Sequence, residues 1–367
     1  MRAGNEEALA RIGGDPAGSA LYERLYSILT SKEKIPNVRK IGDMYYNFWT
    51  DGENPRGLLR KTSLGSYRTG KPVWEVVLSI DALNKQEGES WVYKGSSEYR
   101  PRDGSPPTRT LMHLSRGGAD ATVVREFDLS AMRFVPESEG GFVIPEGKSR
   151  VSWQSADTLL IGTDFKDGCS LTDSGYPRTI REWKRGTPLA AATEVFAGEH
   201  KDVSITGFVS YHRGVEYEWH HRAYGFNDSQ KRVRRRFADG KVGEWRRLAV
   251  PDDSSVSQFD AHGLIQLRTA WGEHAAGTLL TAPMGDLMGA PDAPPPEKPP
   301  TGLTVLFAPS ERVAIERGGL TVTKSPCSRP EPSPVSPPIA SPPHLTELCV
   351  RASSRLFSPL LASKGTS

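Results

Sequence analysis

A serine nucleophile of the elbow type is an oxygen held on a tight strand-to-helix turn. The pattern Gly-x-Ser-x-Gly allows that turn because its small neighbours avoid crowding. No serine in the 367 residues meets it. Gly88-Glu89-Ser90-Trp91-Val92 keeps only the first glycine and His113-Leu114-Ser115-Arg116-Gly117 only the last, and neither is followed by a helical pattern. Gly147-Lys148-Ser149 ends like a phosphate loop, but the glycine before it, Gly141, lies one residue too far away and Pro145 intervenes. A strand-like stretch follows, so no helix N-terminus would offer aligned N–H donors to a phosphate, and a hairpin turn is expected instead. No catalytic residue and no cofactor site is assigned.

Two charged constellations remain. Glu216, Glu218 and His220 share one face of a strand by the period of two, with His221 opposite and His212 upstream. Such side chains bind metals, but nothing in their spacing fixes a coordination geometry, so a solvated polar strand face is expected and no metal site is assigned. The run Lys231-Arg232-Val233-Arg234-Arg235-Arg236 leads through Asp239-Gly240 to Arg246-Arg247, with Phe237 and Trp245 interleaved. Basic arms with aromatics are one way to hold nucleic acid. Here the rest of the chain is near neutral and no nucleic-acid-binding motif accompanies them. A solvated hairpin, or a surface for an acidic partner, is the reading adopted, and no nucleic-acid partner is assigned.

The elements that must position these groups are short. Lys and Arg number 47 against 44 Asp and Glu, a net charge of +3, which excludes a broadly basic coat or an acidic tail protein. Glycine (36) and proline (29) exceed one residue in six, above an ordinary share of about 12%. After Pro36, runs rich in Val, Ile, Trp, Tyr and Phe alternate with turn residues: Met44–Trp49, Val73–Ile80, Thr122–Phe127, Val151–Trp153, Thr158–Gly162, Thr206–Tyr211, Leu264–Arg268 and Leu303–Phe307. Asp51-Gly52, Asp167-Gly168 and Asp239-Gly240 separate strands as hairpins require. Ile80 to Gln86 is the clearest helical window within this region. Such a succession predicts an all-β propeller or a very large sandwich. Eight well-spread tryptophans supply the bulk that stacked sheets need.

The ends differ from the middle. Leu21, Leu25, Ile28 and Leu29 form one apolar stripe behind Ser19, the expected helix cap, which predicts a helix packed against the rest of the protein. Residues 291–300 hold six prolines and 326–343 hold eight, so residues 325–367 are expected to be a disordered Pro/Ser-rich tail. Three scattered cysteines, Cys169, Cys327 and Cys349, make neither a disulfide framework nor a four-ligand zinc site. Without an apolar leader or a span of about 20 apolar residues, a cytoplasmic location with no membrane contact is expected.

Particular strings are more specific. Tyr45-Tyr46-Asn47-Phe48-Trp49-Thr50-Asp51, Arg56 to Thr62, Ser66-Tyr67-Arg68 and Trp74 to Leu78 resemble the first propeller strands of the prolyl oligopeptidase family. Leu114 to Asp120, Val124 to Asp128, Lys148 to Trp153, Gly162 to Phe165, Ser174 to Arg178 and Trp183 to Leu189 continue the resemblance. It is dense over residues 40–275 and thinner over 300–324.

The resemblance implies a seven-bladed propeller that gates oligopeptide access to an α/β-hydrolase domain carrying a Ser-Asp-His triad, with the helix of Leu21 to Leu29 packed back onto that domain, so that its stripe is expected to lack its partner here. It divides the chain into a helical segment (1–36), a propeller that is incomplete (37–324) and the tail (325–367). No triad residue carries over to any position. The expected function is the N-terminal propeller part of a serine peptidase, inactive alone and liable to self-association through exposed strand edges. The alternative is a stand-alone propeller that binds peptides or proteins.

Overall fold

The computed structural model describes residues 2–11, 17, 19–310, 320–322 and 348–350. The chain divides into two compact units, residues 1–168 with 181–193, and residues 169–180 with 194–367.

The first unit opens with helices α1 (Arg2–Arg11) and α2 (Ala20–Thr30). Ser19 caps α2 as its sequence requires, its Oγ accepting from the Tyr22 N–H at 3.2 Å. The apolar stripe, however, stays exposed among the described residues. Leu21, Leu25, Ile28 and Leu29 are 68%, 50%, 52% and 69% exposed. The C-terminal end of α2 is tied down through Lys34, whose Nζ donates to the carbonyls of Leu29 and Thr50.

Two antiparallel sheets follow. The first runs β1 (Arg39–Ile41), β2 (Met44–Trp49), β3 (Leu58–Ser63) and β4 (Glu75–Ser79) in simple succession, with helix α3 (Leu64–Arg68) after β3. Helix α4 (Ile80–Glu87) then leads to the second, β5 (Trp91–Glu98), β6 (Arg109–Arg116), β7 (Thr122–Asp128) and β8 (Arg133–Phe134), with β9 (Val143–Gly147) also on β7. Alternation buries Leu111, Val124, Phe142, Ile144 and Trp153 in one cluster and Ile41, Tyr46, Leu59, Met112 and Phe127 in another. One polar group sits among them. Glu126 is fully buried, and its carboxylate accepts from Arg109 Nη1 (3.0 Å), Arg185 Nη1 (2.8 Å) and the Phe142 N–H (2.9 Å).

Helix α4 shows how local sequence sets an element. Ser79 Oγ accepts from the Ala82 N–H at 3.1 Å, Ile80 and Leu83 point inward, and Gly88 ends the helix at φ 67°. Only glycine adopts that left-handed conformation without strain. Ser79→Ala is expected to lower stability by about 1 kcal/mol, read as a shift of the urea midpoint; no shift would show that the cap is replaced by water.

The third sheet is β10 (Arg150–Ser155), β11 (Thr158–Gly162), β12 (Thr179–Lys184) and β13 (Thr193–Ala197). Lys148 and Ser149 therefore join β9 of one sheet to β10 of the next. The expected hairpin turn is corrected to a connection between sheets, with Ser149 Oγ hydrogen-bonded to Thr163 Oγ1 at 2.7 Å.

The second unit carries β14 (Ser204–His212), β15 (Val215–Ala223), β16 (Ser229–Arg236) and β17 (Arg246–Arg247) as the fourth sheet. The fifth is β18 (Ser255–Phe259), β19 (His262–Gln266), β20 (Leu279–Pro283) and β21 (Thr304–Phe307), with helix α5 (Met284–Leu287) after β20. Its core joins Tyr217, Trp219, Val233, Leu248, Ile265, Leu267, Trp271 and Leu280. Short strands β22 (Leu320–Val322) and β23 (Leu348–Val350) pair with each other. The remainder of the expected tail, 325–347 and 351–367, lies outside the described residues. Among those described, five meandering sheets of blade type are present, fewer than the seven the resemblance implies.

Candidate functional site

The charged constellations of the sequence meet on one sheet. Arg213 and Gly214, at φ 50° and 87°, form the two-residue turn that folds β14 onto β15, the backbone that tight hairpins demand. The β15–β16 register then sets Glu216 opposite Arg236, Glu218 opposite Arg234 and His220 opposite Arg232, all on one face. Opposed charges on neighbouring strands attract. Glu218 accepts from Arg234 Nη2 at 3.0 Å and Arg236 Nη1 at 2.7 Å, and Arg236 Nε donates to Glu216 at 2.9 Å.

This face is not solvated, which corrects the expectation for the Glu-x-Glu-x-His run. Glu218 is 0% and His220 2% exposed. The His220 ring lies 3.9 Å from Trp245 and 5.1 Å from Phe196, and the Arg234 guanidinium covers Trp245 at 4.7 Å. Burial first, then the nearby Arg234 and Arg232 charges, pushes His220 down to about 3. It is therefore neutral, and its 3.8 Å approach to Glu218 is no ion pair.

The opposite face carries aromatic rings beside Lys231 and Arg235. Trp219 stacks on Phe208 at 5.8 Å, and His221 meets both rings edge-on. Burial, with the Lys231 charge, lowers His221 to about 4. Lys231 is itself buried, lowered to about 8 by desolvation, and donates to the carbonyls of Ser229 and Asp252.

The basic run is thus largely consumed within the protein. Arg247 pairs with Asp252 at 2.6 Å and Arg246 with Glu244 at 2.8 Å. Arg232 and Arg235 instead lie over Phe196 and Phe237, at 5.4 and 5.1 Å. Neither constellation becomes a metal centre: among the described residues no group of three or more His, Cys, Asp and Glu side chains could hold an ion. His212 lies apart, its Nδ1 accepting from the Asp260 N–H at 2.9 Å.

The serine near misses also have structural occupations. Ser115 is buried in β6 and donates to the Ala119 carbonyl at 2.7 Å; Ser90 accepts from Arg56 at 3.2 Å. Nothing in these contacts lowers the cost of removing a hydroxyl proton, since neither partner is a base. What sequence reasoning missed is the buried clamp on Glu218. Its signal was available: Glu-x-Glu-x-His on one strand and Arg-x-Arg-x-Arg on the next are matched in length and opposite in charge.

Comparison with known proteins places these sheets. No family model matches the chain. An uncharacterized peptidase of Sinorhizobium fredii is 40% identical over 208 residues, covering 56% of this chain and 27% of the relative. One of Rickettsia prowazekii is 27% identical over 306 residues, covering 75% of this chain and 38% of the relative. The chain therefore spans well under half the length of these curated relatives.

Among solved structures, a post-proline cleaving enzyme from Rickettsia typhi superimposes with a TM-score of 0.70 at 24% identity, over 86% of this chain and 45% of that one. A prolyl endopeptidase gives 0.60 at 14%, over 86% and 42%, and oligopeptidase B from Leishmania major 0.53 at 14%, over 83% and 38%. At these identities the shared property is the fold: the five described sheets resemble the propeller of these enzymes. The chain is thus similar in sequence to curated peptidases, and its fold resembles the propeller of prolyl oligopeptidase-type enzymes over the region matched.

Proposed function

We propose that this chain serves as the substrate-gating propeller of a prolyl oligopeptidase-type serine peptidase, admitting short peptides and excluding folded proteins. The observation that carries this is the superposition on the Rickettsia typhi enzyme over 86% of the chain. The sequence holds no Gly-x-Ser-x-Gly. Amide hydrolysis needs a nucleophile activated by a base beside an oxyanion hole, and strands alone provide none of these. The cysteine count and the scatter of those residues support a reducing, cytoplasmic setting. No helix among the described residues is long and apolar enough to cross a membrane.

The 367-residue chain, incubated with a chromogenic proline-containing peptide, is expected to give no turnover above buffer. Turnover that co-purifies with the chain and survives a serine-directed inhibitor would show another chemistry at work. Turnover abolished by that inhibitor would place a serine nucleophile in this sequence after all.

A further inference from the structure

The charge alternation on β15 and β16 runs short by one carboxylate. Arg236 and Arg234 find Glu216 and Glu218, but the third register pair is Arg232 with His220. Arg232 is half-buried, has no ion-pair partner among the described residues, and its Nε is buried without a hydrogen bond. Its guanidinium rests on Phe196, 5.4 Å from the ring centre. Beside it, the His220 side chain is 1% exposed and its Nε2 also lacks a hydrogen bond. Glu218, 3.8 Å from His220 Nε2, is already taken by Arg234 and Arg236.

A half-buried cation without a counter-ion is costly, and an anion arriving from outside would relieve it. The walls narrow the kind of anion. Phe196 and Trp245 are half-buried rings 5.1 and 3.9 Å from the His220 ring, suited to an apolar residue whose charge lies at one end. The planar fork of arginine matches a carboxylate in two-point contact. A nucleic-acid strand would call for several free cations, whereas Arg234, Arg236, Arg246 and Arg247 are already paired.

We propose that Arg232, with Phe196, His220 and Trp245, forms a subsite for the carboxylate end of an oligopeptide. The proposal rests on the reading of the chain as a propeller that handles oligopeptides. It names the group that would orient such a peptide here.

The test is calorimetric titration of the full chain with an N-acetylated tetrapeptide ending in proline, as free acid and as C-terminal amide. A third peptide, an amide ending in glutamate, reports whether a side-chain carboxylate serves equally. The free acid is expected to bind at least tenfold tighter than the proline amide. Arg232→Gln should abolish that preference, and Arg232→Lys should keep only part of it because the fork is lost.

Arg235→Gln removes the same charge from the other face of β16 and should leave the preference intact. Arg232→Gln should fold at least as stably as the parent, since it deletes an uncompensated charge. Equal binding of acid and proline amide, or a preference that survives in folded Arg232→Gln, overturns the subsite while leaving oligopeptide handling in place. No binding by any of the three peptides overturns both.

Discussion

Glu218→Ala is expected to cost the protein about 3–5 kcal/mol, enough to unfold a domain of ordinary stability under mild denaturant. Its carboxylate has no exposure to solvent and receives three hydrogen bonds from Arg234 and one from Arg236. Deleting it leaves two partly buried guanidinium groups near each other, with Glu216 the acid still paired to one of them among the described residues. The loss therefore comes less from the attraction removed than from like charges left without a partner in poor solvent.

A double substitution separates those terms. Glu218→Ala with Arg234→Ala should recover at least about 1 kcal/mol relative to the sum of the single changes. Urea unfolding of the four proteins makes the measurement. A Glu218→Ala loss below about 1 kcal/mol would mean that water reaches this face and that the pairs behave as surface salt bridges.

The same sheet shows what could be read from the residues and what could not. Met44–Trp49 and Thr158–Gly162 are strands with the bounds their sequences announce, because β-branched and aromatic residues are fenced by turn formers on both sides. Asp51-Gly52, Asp167-Gly168 and Asp239-Gly240 each fall in a connection between paired strands. Local chemistry fixes such features.

Pairing between distant strands is different. Lys148-Ser149 looks like a hairpin turn because nothing local says that β9 bonds back to β7 while β10 begins another sheet. Burial failed for a related reason. Residue type alone sends Glu218 and His220 to solvent, yet cross-strand arginines on one and aromatic rings on the other allow both to be enclosed. The period of two tells which side chains share a face; only the partner strand tells whether that face is wet. The stripe on α2 is legible as an apolar face, but such a face calls for a cover without saying which residues supply it, and among the described residues it stays exposed.

Acid should weaken the fold well before its carboxylates titrate. His220 and His221 lie at about 3 and about 4, whereas in the unfolded chain each returns to the ordinary value of 6.5. Below that value the unfolded chain binds protons that the folded chain refuses, so stability is complete above pH 6.5 and falls as the pH drops toward the folded values. Each pH unit in this window removes about 1.4 kcal/mol per histidine, so moving from pH 6.5 to pH 5 should cost about 2 kcal/mol for each.

Two such histidines would remove a large part of a typical folding free energy, which is only about 5–15 kcal/mol. Urea midpoints at pH 7, 6 and 5 should therefore fall steeply. His221→Phe supplies a third ring beside Phe208 and Trp219 and leaves no buried nitrogen. It should reduce the slope by close to one proton while retaining the midpoint at pH 7. An unchanged slope in that variant, together with a shallow dependence in the parent, would mean that both imidazoles reach solvent and take up protons without unfolding. The aromatic enclosure of His220 by Phe196 and Trp245 would then have to open in the native state.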